Sequence, residues 1–493
     1  MRFMRVAWLI FYFGRAKMKT YQDLMDAIAH GQTGEFLRGA VAEHTGSREY
    51  QEAVDGMAYY NKHNITIEKF QKFVFTLSGS KTPDIWSSDY RLKSLMFRRL
   101  VTQEVGYILG NGLNMDGKEK LGRDIDNKLQ TAAKLALAQG ISFGYWNMDH
   151  LEVFSFADTP GNPGFVPLRD ENTGELMAGI RYWFRDSGTK KIFRATLYEP
   201  DGVSEWACKD GEVPLMVGAK RGYIRRELRN DMGVVDVCDE NYTRLPIAIL
   251  YGNDTHESEL VGLRGSIDCY DFIKSGFANQ IDDTSGIYWI LKNTGAMDDP
   301  DLAKFVQRMK SVRAATVDTS ADTAAEAHTL DVPVEARKTM LDILRRDLYE
   351  DAQMLDVAAL AGAEKTATEI AAAYQPQDNK CADFESYLID FVRQICDVAG
   401  IPDVEPAFTW NKVINQLEDT QMVLSAAEYL DDETILRHLP WIMPEEVPEI
   451  LKRKDEADLK RMGALDARFQ TGGTVNTGGN PNTGTGGQEP PEG

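Results

Sequence analysis

The chain has 493 residues and a formal net charge of −21, and 43% of its residues are hydrophobic. That length is enough for two or more domains with ample core, and the hydrophobic share is ordinary for a soluble protein. The acidic balance argues against a surface that clamps duplex DNA by neutralising its phosphates, because such a surface needs clustered Lys and Arg. It does not exclude a protein that DNA passes without sticking.

The five cysteines lie far apart and in no metal-ligand spacing, and their odd number leaves at least one unpaired (Cys208, Cys238, Cys269, Cys381 and Cys396). We therefore expect free thiols in a reducing compartment. None of the seven histidines falls in a zinc-ligand pattern. The sequence thus offers no metal site.

Residues 1–19 form a basic, apolar leader that contains no acid. Its apolar run, Val6–Phe13, is too short to span a bilayer. The residues that follow, Gly14–Lys17, make a poor signal-peptide cleavage site. We expect an upstream start codon here, with Met18 as the natural first residue, which an N-terminal mass measurement tests.

Apolar residues at helical spacing predict four helices before residue 140: Tyr21–Ile28, Ser47–Asn61, Asp89–Leu109 and Asp124–Gln139. Between the last two, Gly112 to Lys118 has the spacing of a phosphate-binding loop. However, Glu119 stands where Mg²⁺ coordination requires Ser or Thr, and the loop follows a helix instead of a strand. We interpret it as a plain turn between helices.

Strand-forming runs separated by turn signals then predict a meander of hairpins (141–146, 151–156, 179–184, 191–198 and 204–208). The polar stretch from Met216 to Asn241 is interpreted as an exposed insertion. No run in this region carries a catalytic motif.

Two long helices, separated by an insert, are the central feature of the chain. The first has one apolar stripe and is about 39 Å long (Leu260, Leu263, Ile267, Tyr270, Ile273, Phe277 and Ile281). The second follows Val332-Pro333 and is about 33 Å long (Val334, Leu341, Leu344, Leu348 and Leu355). Their other faces are charged, so these helices need partners. A hairpin within one subunit and the same pair repeated around a ring both satisfy the pattern.

The insert is predicted as a strand at Ile287–Leu291, a helix at Asp298–Lys310 and a strand at Ser311–Val317. Downstream we expect a long helix from Thr366 to Ala399, kinked at Pro376, and a brief strand at Ala407–Trp410. An acidic helix at Asn415–Glu433, a mixed-charge helix at Pro444–Arg468 and a disordered, Gly-rich tail from Thr471 complete the chain.

The stretch Leu245–Asp254, followed by Glu259–Leu263 and Ile267–Asp271, resembles the hinge into the stem of tailed-bacteriophage portal proteins of the siphophage type. Further matches occur in the same order as in that family (Ile108–Gly112, Gly179–Trp183, Leu197–Gly202, Leu330–Glu335 and Leu344–Glu350). The likeness covers roughly residues 20–465. The collinear order of these motifs is more specific than any one of them.

The resemblance implies an α+β portal-type subunit that assembles into a ring, usually a dodecamer, with a central channel. It implies a mixed α/β wing, a two-helix stem, a small α/β clip and a helical crown. The implied boundaries are wing 20–257, first stem helix 258–286, clip 287–330, second stem helix 331–355, channel loop 356–365, kinked helix with wing return strand and crown 366–470, and tail 471–493.

The implied function is a channel at the capsid vertex through which double-stranded DNA is packaged and ejected without regard to sequence. The implied partners are other copies of the chain, the terminase large subunit, scaffolding and major capsid proteins, and head–tail adaptor proteins. The expected location is the portal vertex of the virion, and the host cytoplasm during assembly. No membrane partner, catalytic residue, cofactor or metal is expected.

Three groups of residues become candidates through the resemblance. The stem cations would face the channel (Arg337, Lys338, Arg345 and Arg346). The channel loop contributes Asp356, Gly362, Glu364 and Lys365, with Lys365 as its only cation, so that direct phosphate contact stays open. Four clip cations would dock the motor or an adaptor (Lys304, Arg308, Lys310 and Arg313).

Two other classes remain as alternatives. A different structural or adaptor protein of the virion would lack a sealed central channel. An enzyme with an unrecognised site would show turnover or a bound nucleotide.

Overall fold

The computed structural model describes residues 19–75, 80–84, 87–187, 190–209, 212–230, 233–284, 288–292, 324–328, 333–360, 367–402, 404–411, 423–425, 427, 429–439, 442 and 446–471. The chain divides into two compact units, residues 1–412 and 413–493. The first unit contains the sheet and the long helical hairpin. In the described residues the fold class is α+β, as expected.

Helices open the first unit, and short polar side chains set where they begin. They are α1 Tyr21–Ala29, α2 Thr33–Gly46, α3 Arg48–Tyr60 and α4 Ile65–Lys69. Thr20 and Asp23 form a reciprocal capping box at α1, and the Ser47 hydroxyl accepts a hydrogen bond from the Tyr50 N–H at α3. The predictions for α1 and α3 are confirmed, whereas α2 was not predicted.

The predicted helix over Asp89–Leu109 is wrong in its first two turns. A short hairpin, β1 Phe73–Phe75 with β2 Lys81–Pro83, precedes it, and helix α5 begins only at Met96 and ends at Leu109. Residues 88–94 have no helical assignment. Three of their backbone N–H groups, those of Tyr90, Leu92 and Ser94, instead donate to side chains of another helix, described below.

The turn after α5 is more structured than expected. It contains β3 Leu113–Asn114 and a 3₁₀ helix at Lys118–Leu121, before helix α6 Ile125–Gln139. Gly140 ends α6 with a φ of +86°, and a Cβ at this position would lie 2.4 Å from the carbonyl oxygen of His256. Both the backbone conformation and the close approach therefore require glycine here.

An eight-stranded sheet follows in the order β10-β9-β8-β7-β6-β5-β4-β13. Its neighbours are antiparallel except β5 and β6. The strands are β4 Ile141–Asn147, β5 His150–Ser155, β6 Gly164–Arg169, β7 Leu176–Ser187, β8 Lys190–Glu199, β9 Gly202–Lys209, β10 Leu215–Met216 and β13 Ile247–Tyr251. The five predicted strands are confirmed, and β6, which contains Pro167, was missed.

The stretch interpreted as an exposed insertion is largely a second hairpin. Strands β11 Ile224–Asn230 and β12 Gly233–Glu240 pair antiparallel with a register shift at Leu228 and Arg229. Strand β11 has three consecutive charged residues, Arg225 to Glu227, and neither strand alternates strictly between apolar and polar residues, so the period-2 signal of a strand is weak here.

Three hydrophobic clusters form the core of the first unit. Helices α1 and α2 pack against strands β6 to β8 through residues such as Leu24, Leu37 and Ile180. An aromatic cluster around Phe143, Phe154 and Phe165 joins β4 to β6. The largest cluster connects α5 and α6 to the helical hairpin and to the long C-terminal helix.

The hairpin consists of α7 Leu260–Thr284 and α8 Val334–Asp351. Between them, β14 Tyr288–Lys292 pairs antiparallel with β15 Ala324–His328. The strand at Ile287–Leu291 is confirmed within one residue, and its partner β15 was not predicted. The predicted helix at 298–310 and strand at 311–317 lie outside the described residues.

After the hairpin come a one-turn helix α9 Val357–Leu360, the long helix α10 Ala367–Ala399, and β16 Ala407–Phe408, which pairs with β3. The expected loop at 356–365 therefore begins with a helical turn. Helix α10 continues through Pro376, and the kink there stays a prediction.

The second unit contains α11 Asp432–His438 and α12 Val447–Thr471, joined by an ion pair between Asp432 and Lys454 at 2.5 Å. Asp431 caps α11, so the helix predicted over Asn415–Glu433 does not continue to Glu433 unbroken. The helix predicted at Pro444–Arg468 is confirmed with shifted ends. Residues 1–18 of the leader and 472–493 of the tail lie outside the described residues, and Thr471, predicted as the first residue of the tail, ends α12.

Candidate functional site

Helices α7 and α8 pack closely where they join the body of the first unit. Leu263, Ile267, Leu344 and Leu348 are all buried there. Further along, the Arg337 guanidinium lies 5.8 Å from the Phe277 ring centroid. This contact places residue 337 of α8 level with residue 277 of α7.

Burial falls along the hairpin with distance from the body. Ile281 is 54% exposed and Val334 is 46% exposed, although both belong to the apolar stripes that the sequence predicts. Several other large apolar residues of the two helices are also exposed (Val261, Phe272, Met340 and Ile343). The hairpin of one chain therefore leaves apolar surface without cover.

The extended segment 88–94, here called the strap, lies along α7 and is held by side chains of that helix. The Asp271 carboxylate accepts a hydrogen bond from the Ser94 N–H at 2.9 Å. The Ser275 hydroxyl accepts one from the Leu92 N–H at 2.9 Å, and the Asn279 amide oxygen accepts one from the Tyr90 N–H at 2.5 Å. These spacings of four along α7 match alternate residues along the strap.

The strap and α8 lie on opposite sides of α7. Successive helical residues are rotated by about 100°, so Phe277, which contacts Arg337, points about 200° away from Ser275, which contacts the strap. The order of layers in one chain is therefore strap, α7, α8. This order was not predicted from the sequence.

Asp271 is the most buried member of this contact. Its side chain is fully buried and also accepts a hydrogen bond from the Asn64 amide at 2.9 Å. Burial raises the pKa of the Asp271 carboxyl, while its hydrogen bonds lower it. The carboxyl thus ties the strap, α7 and the start of α4 together.

The four candidate stem cations do not lie on one face of α8. Arg337 faces α7, and Arg345 pairs with Asp356 at 2.8 Å. Lys338 is exposed, and Arg346 is exposed beside Glu350 at 3.6 Å. Helical spacing puts Lys338 and Arg345 on a shared face and Arg346 on the face away from α7.

Substitution of Arg345 should separate its role from that of Arg346. We expect Arg345→Ala to lower the free energy of unfolding by about 1–2 kcal/mol, because the Asp356 carboxylate loses a charge-assisted hydrogen bond. Arg346→Ala should change it by less than about 0.5 kcal/mol, since its ion pair is at the surface. Urea denaturation of both variants measures the difference, and equal losses would contradict this assignment.

Of the remaining candidates, only Asp356 lies within the described residues. The Asp356 carboxylate also accepts a hydrogen bond from the Ala358 N–H at 3.1 Å, at the start of α9. The other loop candidates and the clip candidates lie outside the described residues (Gly362, Glu364, Lys365, Lys304, Arg308, Lys310 and Arg313).

An open cleft of about 890 Å³ lies at the base of the hairpin. It is lined by the 252–259 loop, the first turn of α7, the end of α8 and the middle of α10. At its inner end Lys380 bridges two carboxylates, at 2.9 Å from Glu104 and 2.5 Å from Glu259. The Lys380 ammonium also donates to the Ala352 carbonyl at 3.2 Å.

At the base of the hairpin negative charge exceeds positive charge, because one ammonium, that of Lys380, pairs with two carboxylates. Glu104 is 2% exposed, and its Oε1 atom has no hydrogen-bond partner. Burial raises the pKa of Glu104 to about 7 despite the nearby Lys380. The two carboxylates raise the pKa of Lys380, which stays charged. Glu104 therefore takes up a proton at a higher pH than an ordinary carboxyl does.

The loop from Gly112 to Lys118 does not form a phosphate cradle. The Lys118 ammonium pairs with the Asp126 carboxylate at 2.8 Å, and the same carboxylate accepts a hydrogen bond from the Leu113 N–H. Among the described residues, no group of three His, Cys, Asp or Glu side chains is arranged to hold a metal ion. Within the same ranges, no helix has both the length and the apolar character to cross a membrane.

The sequence interpretation missed the strap contact and the Lys380 cluster. A signal for the first exists, since Asp271, Ser275 and Asn279 repeat every four residues and so lie along one side of α7. The Lys380 cluster has no such signal, because Glu104, Glu259 and Lys380 come from three segments that are distant along the chain.

Known proteins resemble this chain over most of its length. The family profile described as "Phage portal protein, SPP1 Gp6-like" matches residues 42–460. A portal protein of Clostridium phage phiCD119 is 26% identical over 410 residues, which cover 78% of this chain and 88% of that relative. The portal protein of Bacillus phage SPP1 is 21% identical over 311 residues, 61% of this chain and 60% of that protein.

A solved structure is also similar. It is the crystal structure of an HK97-family phage portal protein from Corynebacterium diphtheriae, with 11% sequence identity and a TM-score of 0.31. The similarity covers 64% of this chain and 91% of that chain.

Proposed function

This chain belongs to the SPP1 Gp6-like family of phage portal proteins, and from that membership we propose that its copies close into a ring around a central channel. A phage portal protein is a component of the virion. Its family is structural in character, and we propose that the chain itself carries out no bond chemistry.

The uncovered apolar surface of the hairpin is the observation that supports the ring most directly. Val261, Phe272, Met340 and Ile343 are between 38% and 45% exposed in a single chain. Side-by-side packing of hairpins from neighbouring copies would remove this surface from water, which is favourable by about 25 cal/mol per Å². In a closed ring every copy has the same two neighbours, so no copy is left with an exposed hairpin edge.

In the proposed assembly, residues 20–257 are the wing, α7 and α8 form the stem, and residues 287–330 are the clip. The stem walls the channel, and the segment 356–365 projects into it. Residues 366–470 provide the long helix, the return strand and the crown. We propose Lys338 as the stem cation best placed to meet DNA, since Arg337 and Arg345 are engaged within the chain.

The proposed mechanism is passive conduction. Double-stranded DNA must move through the channel, so its contacts have to be weak, numerous and independent of sequence, and a chain with a net charge of −21 suits that need. We propose that the clip, through Lys304, Arg308, Lys310 and Arg313, docks the terminase large subunit and later the head–tail adaptors. Scaffolding and major capsid proteins would contact the assembly at the capsid vertex.

The ring is tested by mass photometry and negative-stain imaging of the purified full chain. We expect a single species whose mass is a multiple of the 55.3 kDa chain, near twelve copies, with a stain-filled centre. A protein that stays a monomer at high concentration and with scaffolding protein present would contradict the proposal. Turnover of nucleotide by the isolated chain would contradict its structural role.

A further inference from the structure

Helices α3, α4 and α5 pack against the first half of α7. From Asp271 onward, α7 is flanked by the strap on one side and by α8 on the other, while the Phe70 ring packs edge-on against Phe272 at 4.8 Å between centroids. The hairpin therefore keeps two outer edges beyond the body. The strap covers one side through the hydrogen bonds of Asp271, Ser275 and Asn279. Helix α8 covers the other through Leu344 and Leu348. The outer edges are therefore the far side of the strap and the far side of α8.

The strap edge is apolar and carries excess positive charge. Tyr90 is 52% exposed and Leu92 is 37% exposed. The adjoining segment 68–72 is tied to the strap, since Arg91 donates to the Glu68 carbonyl at 2.9 Å and Lys93 pairs with the Glu68 carboxylate at 2.6 Å. Together the segments 68–72 and 88–94 contain four cations and two carboxylates (Lys69, Lys72, Arg91, Lys93, Glu68 and Asp89).

The α8 edge has the complementary character. Ile343 is 38% exposed and lies about 100° from the buried Leu344, on the side away from α7. The charged residues of this edge are three carboxylates and one cation, all exposed (Glu335, Asp342, Glu350 and Arg346). The two edges of one chain therefore match each other in both apolar content and charge.

We propose that the strap of each copy packs against the outer edge of α8 of the next copy. The inference rests on the proposed ring, in which every copy must offer two different, mutually complementary edges. A contact between a net positive and a net negative edge favours this pairing and disfavours strap-to-strap or α8-to-α8 contact. The wall of the stem then has three elements per subunit, and α7 meets its neighbour through the strap.

Contacts within one chain also predict which residues of neighbouring hairpins lie at the same level. Leu92 is bonded to Ser275, which lies about half a helical turn from Phe277, the residue level with Arg337. Copies related by rotation about the ring axis keep the same residues at the same height. In the proposed ring, with the hairpin parallel to the ring axis, Leu92 of one copy faces the outward residue Thr339 of the next, and Tyr90 faces Glu335.

Paired cysteines test this contact in the full chain. The exposed native thiols are first removed by Cys238→Ser and Cys269→Ser, and the pair Leu92→Cys with Thr339→Cys is then treated with a short bismaleimide. We expect a ladder of covalent multimers on a denaturing gel, up to the ring size. A bridge within one chain is excluded, because two helices, about 20 Å together, separate the sites.

Matched variants make the result decisive. Either cysteine alone, and the pair Leu92→Cys with Leu215→Cys, should give no ladder beyond dimers, although Leu215 is 72% exposed. The pair Tyr90→Cys with Glu335→Cys provides a second level and replaces the first pair if that variant does not assemble. Rings seen by mass photometry without a ladder from either pair would overturn the strap contact and leave the ring standing. A chain that forms no ring would overturn both.

Discussion

Replacement of Lys380 by methionine is expected to cost about 3–5 kcal/mol of folding free energy, because two buried carboxylates would lose their shared counter-ion. Glu104 is 2% exposed and Glu259 has a side chain 15% exposed, so water compensates neither fully. The loss should be smaller at acidic pH, where Glu104 takes up a proton. Urea denaturation at pH 6 and pH 8 measures both effects.

Two control variants show whether charge or packing causes the loss. Lys93→Met breaks an ion pair of similar length, at 2.6 Å to Glu68, but at a half-exposed site, and should cost less than about 1 kcal/mol. The triple variant Lys380→Met, Glu104→Gln, Glu259→Gln removes every charge and should recover most of the loss. If the triple variant is as unstable as the single one, packing around the lysine stem, and not charge, explains the effect.

The position of Lys380 connects stability to assembly. Its partners belong to α5, to the residue preceding α7 and to the end of α8, so this one ammonium fixes the base of the hairpin to the body of the first unit. A loosened base would let the two outer edges of the hairpin change their orientation. The same variant should therefore form fewer rings than the wild-type chain at equal concentration.

Sequence patterns predicted the parts of the fold whose residues are neighbours along the chain. The stripes of α7 and α8 follow from burial of one face, and runs of strand-forming residues between turn signals predicted β4, β5, β7, β8 and β9. The structure has each of these elements. The collinear motifs also predicted the family, which the profile match confirms. The assignment of wing, stem and clip stays a proposal.

The strap shows why the rest was not predictable. Leu92, Leu95 and Met96 have helical spacing, which favours extension of α5 toward its N-terminus. Polar side chains of α7 instead accept hydrogen bonds from the backbone of Tyr90, Leu92 and Ser94. These side chains act in place of helical hydrogen bonds, and they come from about 180 residues further along the chain. The residue pattern within 88–109 contains no information about distant side chains that compete with helix formation for its backbone N–H groups.

Histidine 44 is expected to make the first unit less stable as the pH falls from about 6.5 to 4. Its ring is 1% exposed, packs edge-on against Phe156 at 4.6 Å between centroids, and contacts the Phe156 carbonyl through Nε2 at 3.0 Å. Burial lowers the pKa of His44 to about 4. Since the unfolded chain binds this proton near pH 6.5, folding opposes protonation throughout that window, by about 3 kcal/mol at its lower end.

The variant His44→Gln isolates this contribution, because the amide keeps a hydrogen-bond donor for the Phe156 carbonyl but does not titrate. We expect the free energy of unfolding of the wild-type chain to fall more steeply than that of the variant between pH 6.5 and 4. Glu104 acts with the opposite sign, since its raised pKa makes folding less favourable as the pH rises from about 4.5 to 7. Only the difference between the two profiles reports His44, and parallel profiles would show that His44 protonates as readily in the folded chain as in the unfolded one.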